Sequence, residues 1–440
     1  MRNLDVASTD SFFQRYRNAV PWVVCLIIGA VYCYFSMHIT GNIFISTRLN
    51  HYIYLLDAFV HGRVNVTPPF TYDLSLYHGK WYLYWGPAPV LLLWPFYLLW
   101  GLNASDVLFT MLGGLANVVM LYLCIRQMKR YFSLSLSLMA EAFLLLSFAF
   151  ASPNFFLALV GRIWFTNQIF ATTFLFVFYF FFFKYLNTGN LLHIVVSVVF
   201  FCLACLTRYS LLVHGLLLAY LFWDRKITGK KISLQLLVLV GVTVLFFVCL
   251  GAFYNYLKFQ NILEVGQRFQ HGNARYAEVL KSGKILSFKY FWYNIYYYFL
   301  NPIFFSVSKH ALQIDPEGNS VLMVYPSLLL VATLFFKFKQ FDAKRRFFVL
   351  TAGVAALITV VFLMLYFATG WVQFGNRYFF DAFPLFFLLL VLVMPYIPKP
   401  VLLLLVIWVI VINFWGVLVF SRKVIVALWE LYRLHQLWLG

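Results

Sequence analysis

The sequence predicts an all-α polytopic membrane protein, and three observations carry that expectation. Of its 440 residues, 63% are hydrophobic, 21% aromatic and only 11% charged, with a mean hydropathy of +0.85. A water-soluble core of this size could not hide so much apolar surface. Apolar runs near the roughly 20 residues needed to span a bilayer recur along the chain, about eleven in all. The formal charge of +19 sits at the ends of those runs and forms no single patch or arm. That pattern belongs to membrane topology and phospholipid contact, so nucleic acid is not an expected partner.

The elements follow in order. Residues 1–19 are polar and hold Arg2, Arg15 and Arg17; no small-residue cleavage site follows the apolar run 20–40. That run reads as a retained first helix. Further spans are expected at 104–125, 134–156, 168–185, 191–207, 209–223, 233–254, 320–337, 346–367, 379–395 and 400–420. The pair 191–207 and 209–223 is short, which implies tilt or a turn within the headgroup layer. Run 87–100 is interrupted by Pro87, Pro89 and Pro95 and reads as a helix lying at the interface. With the N-terminus in the cytoplasm, the cytoplasmic segments hold Arg126, Lys129, Arg130, Lys184, Arg225, Lys226, Lys230, Lys231, Lys337, Lys339, Lys344, Arg345, Arg346 and Lys399. The short outer loops then hold only Arg162, Arg208 and Arg377, as the positive-inside rule requires. Bacterial inner membrane is the expected location, with the working face outside.

Two outer segments, 41–103 and 255–319, are long and rich in Tyr, Trp and Phe. They read as partly helical caps on one domain covering 1–440. The C-terminal stretch from Ser421 is expected as an amphipathic helix on the outer surface. All six cysteines lie in apolar runs. Cys202 and Cys205 have C-x-x-C spacing but no second ligand pair, and read as packing residues.

The chain has no Walker, G-x-G-x-x-G, G-x-S-x-G or H-E-x-x-H motif. A donor or fuel must therefore come from the membrane, the outside or an ion gradient. Most acids fall on the expected outer side: Asp57, Asp73, Asp106, Glu264, Glu278, Asp315, Glu317 and Glu430. Helical spacing over 48–62 would align Asn50, Tyr54, Asp57 and His61 on one face, with Ile53, Leu56 and Val60 on another. A carboxylate in a partly dry site has a raised pKa, which suits a base. The rival reading of Asp57 is a surface acid paired with Arg63 or His61. An Asp57/His61 metal pair lacks a third ligand, so no metal or other cofactor is required. In "TYDLSLYHGKWYLYWGPAP", Asp73, His78 and Lys80 stand beside Tyr82, Tyr84 and Trp85, a combination suited to a sugar or a headgroup. Arg162, Arg208 and Arg377 could fork onto a phosphate. Asp381, one turn after Arg377, is expected to hold its guanidinium in place.

Four stretches carry a resemblance: "LNHYIYLLDAFVHGRVNV", "YHGKWYLYWGPAPVLLLWPFYLLWG", "LTRYSLL" and "GWVQFGNRYFFDAFPLFFLLL". Together with the layout they resemble the GT-C class of integral-membrane glycosyltransferases, in particular bacterial relatives of protein mannosyltransferase and aminoarabinose transferase. The resemblance implies a polyprenyl-phosphate sugar donor and a glycan, lipid or protein acceptor. It implies a loop acid as base, transfer with inversion, and basic residues that stabilise the leaving lipid phosphate. The acidic pair that many members carry early in the first loop is missing near Thr47, Arg48 and Asn50. Either Asp57 or Asp73 would then serve as base. A transporter of lipid-linked sugars and a non-catalytic partner in envelope assembly are the alternatives.

Overall fold

The computed structural model describes residues 3–229, 231–272, 276–306, 311–313, 315–370 and 373–437, with side chains from Ala19 to Val419 outside 304–314. The first half contains α1 (Asn3–Thr40), α2 (His51–Val60), α3 (Val90–Trp100), α4 (Asp106–Tyr131), α5 (Leu138–Phe150), α6 (Pro153–Ala158), α7 (Ile163–Thr188), α8 (Leu191–Thr207) and α9 (Leu216–Ile227). The second contains α10 (Leu234–Phe259), α11 (Ala277–Ser282), α12 (Phe291–Ile295), α13 (Val321–Val324), α14 (Thr333–Lys337), α15 (Ala343–Leu365), α16 (Phe383–Val393) and α17 (Lys399–Leu437). Residues 19–40 and 399–419 and helices α4, α7, α10 and α15 are long and apolar enough to cross a membrane; α3, α5, α8 and α16 are shorter and equally apolar. The chain is an integral membrane protein.

Polar caps start these helices where the sequence supplies them. Ser105 Oγ accepts from Leu108 N at 3.0 Å at the head of α4, and Asp342 Oδ1 accepts from Arg345 N at 2.8 Å at the head of α15. Gly189, at φ +72°, ends α7. A buried polar network ties the first helices together. Tyr32 OH donates to Ala149 O at 2.7 Å, and Asn154 Nδ2 donates to Tyr32 OH at 2.8 Å and Gly114 O at 3.0 Å. Asn117 Nδ2 donates to Asn154 Oδ1 at 3.0 Å, and Asn117 Oδ1 accepts from Thr173 Oγ1 at 2.7 Å. Where lipid is the solvent, such groups must find partners inside the protein.

Several apolar runs are broken. The run 134–156 divides into α5 and α6 because Ser152 caps a new helix and Pro153 supplies no N–H. The run 320–337 is α13, a 3-10 turn from Pro326 to Ala332, and α14. The runs at 209 and 379 begin in 3-10 turns, Tyr209–Gly215 and Arg377–Asp381, ahead of α9 and α16. The run 87–100 does contain a helix, α3, with Pro95 inside it. Besides their short helices, the two long segments each hold an antiparallel strand pair, β1 (Ser75–Tyr77) with β2 (Lys80–Tyr82), and β3 (Phe304–Ser306) with β4 (Ala311–Gln313). No separate surface helix starts at Ser421, because the α17 backbone continues to Leu437; side chains beyond Val419 and residues 438–440 lie outside the described residues.

The two long segments meet at one end of the bundle, here termed the loop face. His271 N donates to Leu74 O at 2.8 Å, Asp73 N donates to His271 O at 3.0 Å, and Ser75 Oγ donates to Gly266 O at 2.7 Å. Gly86 lets the first segment press onto the end of α8, where an added Cβ would lie 1.8 Å from Leu206 O and 2.7 Å from Thr207 Cα. Gly86→Ala should therefore push the loop off α8 and cost about 2 kcal/mol. A clearly lower unfolding temperature in detergent is expected; an unchanged one would show that the loop does not need this contact.

Candidate active site

A cavity of about 360 Å³ opens at the loop face. Both long segments line it with Tyr72, Asp73, Tyr84, Trp85, Gln267 and Gln270. Helix ends and turns add Arg162, Trp164, Arg208, Ser210, Tyr366, Arg377, Tyr378 and Asp381. Residues as far apart in sequence as Tyr72 and Asp381 thus share one wall.

Asp73 is only 5% exposed and has φ +66°, a left-handed backbone that Asp tolerates better than most residues. The backbone pairing with His271 holds it there. Its Oδ1 accepts from Tyr84 OH at 3.0 Å and from Gln270 Nε2, and its Oδ2 accepts from Trp85 Nε1 at 3.3 Å. Burial raises its pKa, while the bonds from Tyr84, Gln270 and Trp85 and the charge of Arg377 pull the other way.

Arg208 and Asp381 form a buried pair. Arg208 Nε donates to Asp381 Oδ1 at 2.9 Å and Arg208 Nη2 to Oδ2 at 2.8 Å, while Ser210 Oγ adds a bond to Oδ2 at 2.7 Å. His214 Nε2 meets the Asp381 carbonyl at 2.9 Å. The expected Arg377–Asp381 pairing is corrected by this geometry. Residues 377–381 form a 3-10 turn, and Asp381 reaches across to Arg208.

Arg377 is held by backbone. Its Nε and Nη2 donate to Gly370 O at 3.1 and 2.7 Å, and Gln168 Nε2 donates to the Arg377 carbonyl at 2.9 Å. Arg377 is 8% exposed, and its Nη1 is buried without a partner among the described residues. Arg162 is 9% exposed, and its guanidinium has no hydrogen-bonded partner among the described residues. Burial brings its pKa down to about 10; Asp106 opposes that and Arg377 adds to it. Arg162 and Arg377 lie over the same Phe165 ring, at 5.8 and 5.7 Å. Asp106 does not line the cavity, and its carboxylate accepts from Thr47 N at 2.8 Å and Thr47 Oγ1 at 2.6 Å.

The sequence-derived candidates therefore separate. Asp73, Tyr84, Trp85, Arg162, Arg208, Arg377 and Asp381 share the cavity. Asp57, Asn50, Tyr54, His61, His78 and Lys80 do not line it. Asp57 Oδ1 accepts from Tyr97 OH at 2.8 Å, and the carboxylate pairs with Arg63 at 3.3 Å and His61 at 3.4 Å, which is the surface-acid arrangement. Asn50 is not on an exposed polar stripe; it is buried, with Nδ2 donating to Ala104 O and Ser46 Oγ at 2.9 Å each. His78 and Lys80 are exposed on the β1–β2 hairpin, away from the cavity wall. Tyr84 and Trp85 bind Asp73 directly. Sequence reading missed Gln270 and Ser210, whose partners lie 197 and 171 residues away; no local pattern marks either. Among the described residues no group of His, Cys, Asp and Glu could hold a metal ion.

Breaking the Arg208–Asp381 pair from one side leaves a buried charge without its partner. Arg208→Met and Asp381→Leu should each cost about 3–5 kcal/mol, and the double variant should cost less than either. Thermal unfolding of the three variants in detergent checks this. Additive losses would show that the two charges act independently.

No family model and no curated protein sequence matches the chain. Solved structures do match in fold. ArnT from Cupriavidus metallidurans, bound to undecaprenyl phosphate, superposes with a TM-score of 0.50 at 14% identity, over 86% of this chain and 61% of that one. The Archaeoglobus fulgidus oligosaccharyltransferase superposes with a TM-score of 0.50 at 12% identity in its apo form, covering 91% of this chain and 55% of that one. The archaeal oligosaccharyltransferase AglB from Archaeoglobus fulgidus, in complex with an inhibitory peptide and a dolichol-phosphate, matches with a TM-score of 0.50 at 11% identity. The chain thus spans rather more than half the length of these proteins, and its fold is that of the GT-C class of membrane glycosyltransferases.

Proposed function

We propose that the protein transfers a sugar from a polyprenyl-phosphate donor to a hydroxyl-bearing acceptor. The observation that carries this reading is one cavity holding a buried carboxylate, Asp73, together with two guanidinium groups that have free donors, Arg162 and Arg377. A phosphate suits those donors because Arg presents a fork matched to its oxygens. ArnT and AglB, solved with undecaprenyl phosphate and dolichol-phosphate, make a lipid phosphate the natural occupant. The mature site needs no nucleotide, cofactor or metal in this reading.

Asp73 acts as general base in the proposed step. The acceptor oxygen attacks the anomeric carbon, its proton passes to Asp73, and the bond to the phosphate oxygen breaks. The electron pair leaves with the lipid phosphate, and Arg162 and Arg377 stabilise the charge that grows there. Attack opposite the leaving group inverts the anomeric centre. Arg208, already neutralised by Asp381, positions the Arg377 turn and does not take the phosphate. The acceptor is a glycan, lipid or protein of the cell envelope. We read about eleven passes, N-terminus in the cytoplasm and the loop face outside the inner membrane, from the bias of Lys and Arg toward the expected cytoplasmic segments of the sequence.

Transfer from a labelled polyprenyl-phosphate sugar in liposomes tests the reading. Asp73→Asn preserves the backbone conformation, since Asn also tolerates positive φ, and should lower transfer by about 10²–10⁴-fold. Arg377→Ala and Arg162→Ala should weaken donor binding, while Asp57→Asn should stay within about twofold of wild type, as surface substitutions usually do. Movement of intact lipid-linked sugar across the bilayer without cleavage would instead establish a transporter.

The pH dependence has a definite sign. The base must be ionised, so activity is present above the Asp73 pKa and lost as pH falls through it. Because burial raises that pKa, the acid limb of kcat/KM should lie above the ordinary carboxylate value of about 3.9. A limb at or below that value would remove Asp73 from the role.

A further inference from the structure

The second long segment leaves an apolar face uncovered. From Phe288 to Leu300 the chain runs as one helical stretch: a 3-10 turn at Phe288–Tyr290, then α12, then a π turn at Tyr296–Leu300. Asn294 and Tyr298, four residues apart, are buried on one face. Phe288, Trp292, Tyr296 and Leu300 repeat at the same spacing on another face and are 46–71% exposed. A helix face that open is polar where water is the solvent; this one is aromatic and aliphatic. Three exposed lysines accompany it, Lys281, Lys284 and Lys289, and Glu278 is the one acid between positions 277 and 300.

Helix α15 sets the depth of this face. Its 23 residues rise about 34 Å, slightly more than the roughly 30 Å of a hydrocarbon core, so its end at Leu365 lies at the boundary of that core. The segment is bonded to that end. Ser287 N donates to Leu365 O at 2.9 Å, and Phe367 N donates to Ile285 O at 3.0 Å. Asn294 Nδ2 donates to Leu363 O, Met364 O and Tyr366 O at 3.1, 3.0 and 2.7 Å. These are carbonyls that the end of a helix leaves without partners. The outward side of α15 that leads to this junction is itself apolar, with Leu350, Val354, Leu357, Ile358 and Val361 exposed.

We infer that residues 281–300 are a docking surface for anionic phospholipid, with the three lysines on the headgroups and the Phe288–Leu300 face in the leaflet. Trp and Tyr sit well at headgroup level, Phe and Leu gain from the acyl region, and Lys attracts anionic lipid. Continuity with the apolar side of α15 and the excess of lysine over acid single out this occupant. The docked segment holds Ile285, Tyr366 and Phe367, which belong to the cavity wall, at headgroup depth. Docking is independent of the reaction that the cavity performs.

Photo-crosslinking of the full chain tests the docking. p-Benzoylphenylalanine replaces Trp292 in one sample and Leu357, on the outward side of α15, in a reference sample. Each is placed in single-copy nanodiscs made from equal parts of phosphatidylcholine and phosphatidylglycerol, and the adducts are read by mass spectrometry. Both positions should give phospholipid adducts. Lipid adducts from position 357 with none from position 292 overturn the inference. So does a crosslink from position 292 to a second copy that displaces the lipid adducts in liposomes carrying many copies, because the face is then a protein interface. Phosphatidylglycerol should be enriched about threefold over its share of the bilayer among the adducts at position 292 and not at position 357. Lys281→Gln, Lys284→Gln and Lys289→Gln together should return it to that share. Equal use of the two lipids with the lysines present, or enrichment that survives their removal, overturns the choice of anionic lipid.

Discussion

The site depends on the buried pair between Arg208 and Asp381. The pair joins the 3-10 turn after α8 to the 3-10 turn before α16, and His214 adds a second tie to the same turn through the Asp381 carbonyl. Two opposite charges in a low-dielectric setting cancel only with good geometry and further hydrogen bonds. Ser210 and Asn167 supply those bonds. With Asp381 committed, Arg377 cannot fold back onto it and its guanidinium is turned to the cavity, braced by Gly370 O. Gly370, at φ +116°, is needed there: a Cβ would meet Gln373 Oε1 at 2.5 Å and the Arg377 side chain at 3.2 Å. One satisfied pair thus creates one unsatisfied cation.

Asp73 is built on the opposite logic. Among the described residues no charged group pairs with it directly; neutral donors from Tyr84, Trp85 and Gln270 fix it. Neutral donors orient a carboxylate without neutralising it, so it keeps its capacity for a proton. The strained backbone at Asp73 persists because the backbone bonds that Asp73 and Leu74 make with His271, and the Ser75 hydroxyl bond to Gly266 O, over-determine it. The second long segment therefore belongs to the site as much as the first, although it contributes Gln270 from 197 residues away.

Periodicity and composition were legible where one helix runs unbroken through lipid. The expected span 20–40 falls within α1, and those at 104–125, 233–254 and 346–367 fall within α4, α10 and α15 but for one or two residues at one end. Side of the chain was less legible than type of residue. Asp57 and Asp73 were equivalent in the sequence, because what separates them is a partner from a distant loop. The same limit explains Asp381: helical spacing places it beside Arg377, but Pro384 at the start of α16 and the preceding turn put it opposite Arg208 instead. The hairpins were missed for a different reason. Three-residue strands such as Ser75–Tyr77 carry too little alternation to announce themselves.

The junctions between apolar helices are where the chemistry sits. Arg162 stands between α6 and α7, Arg208 between α8 and its 3-10 continuation, and Arg377 opens the 3-10 turn ahead of α16. In hydrocarbon, non-helical backbone is tolerated only when buried in protein or lining a cavity. Each break therefore needs partners, and the three breaks find them in one another: Gln168 on α7 to the Arg377 carbonyl, Asn167 to Thr207 O, and Arg208 to Asp381. A continuous helix at any of the three would satisfy its own backbone and point its arginine along the helix surface toward lipid. Interruption turns the arginine inward and at the same time supplies the polar groups that make an inward cation tolerable. The interruption of helix at these three junctions and the gain of a cationic cavity are thus one structural event.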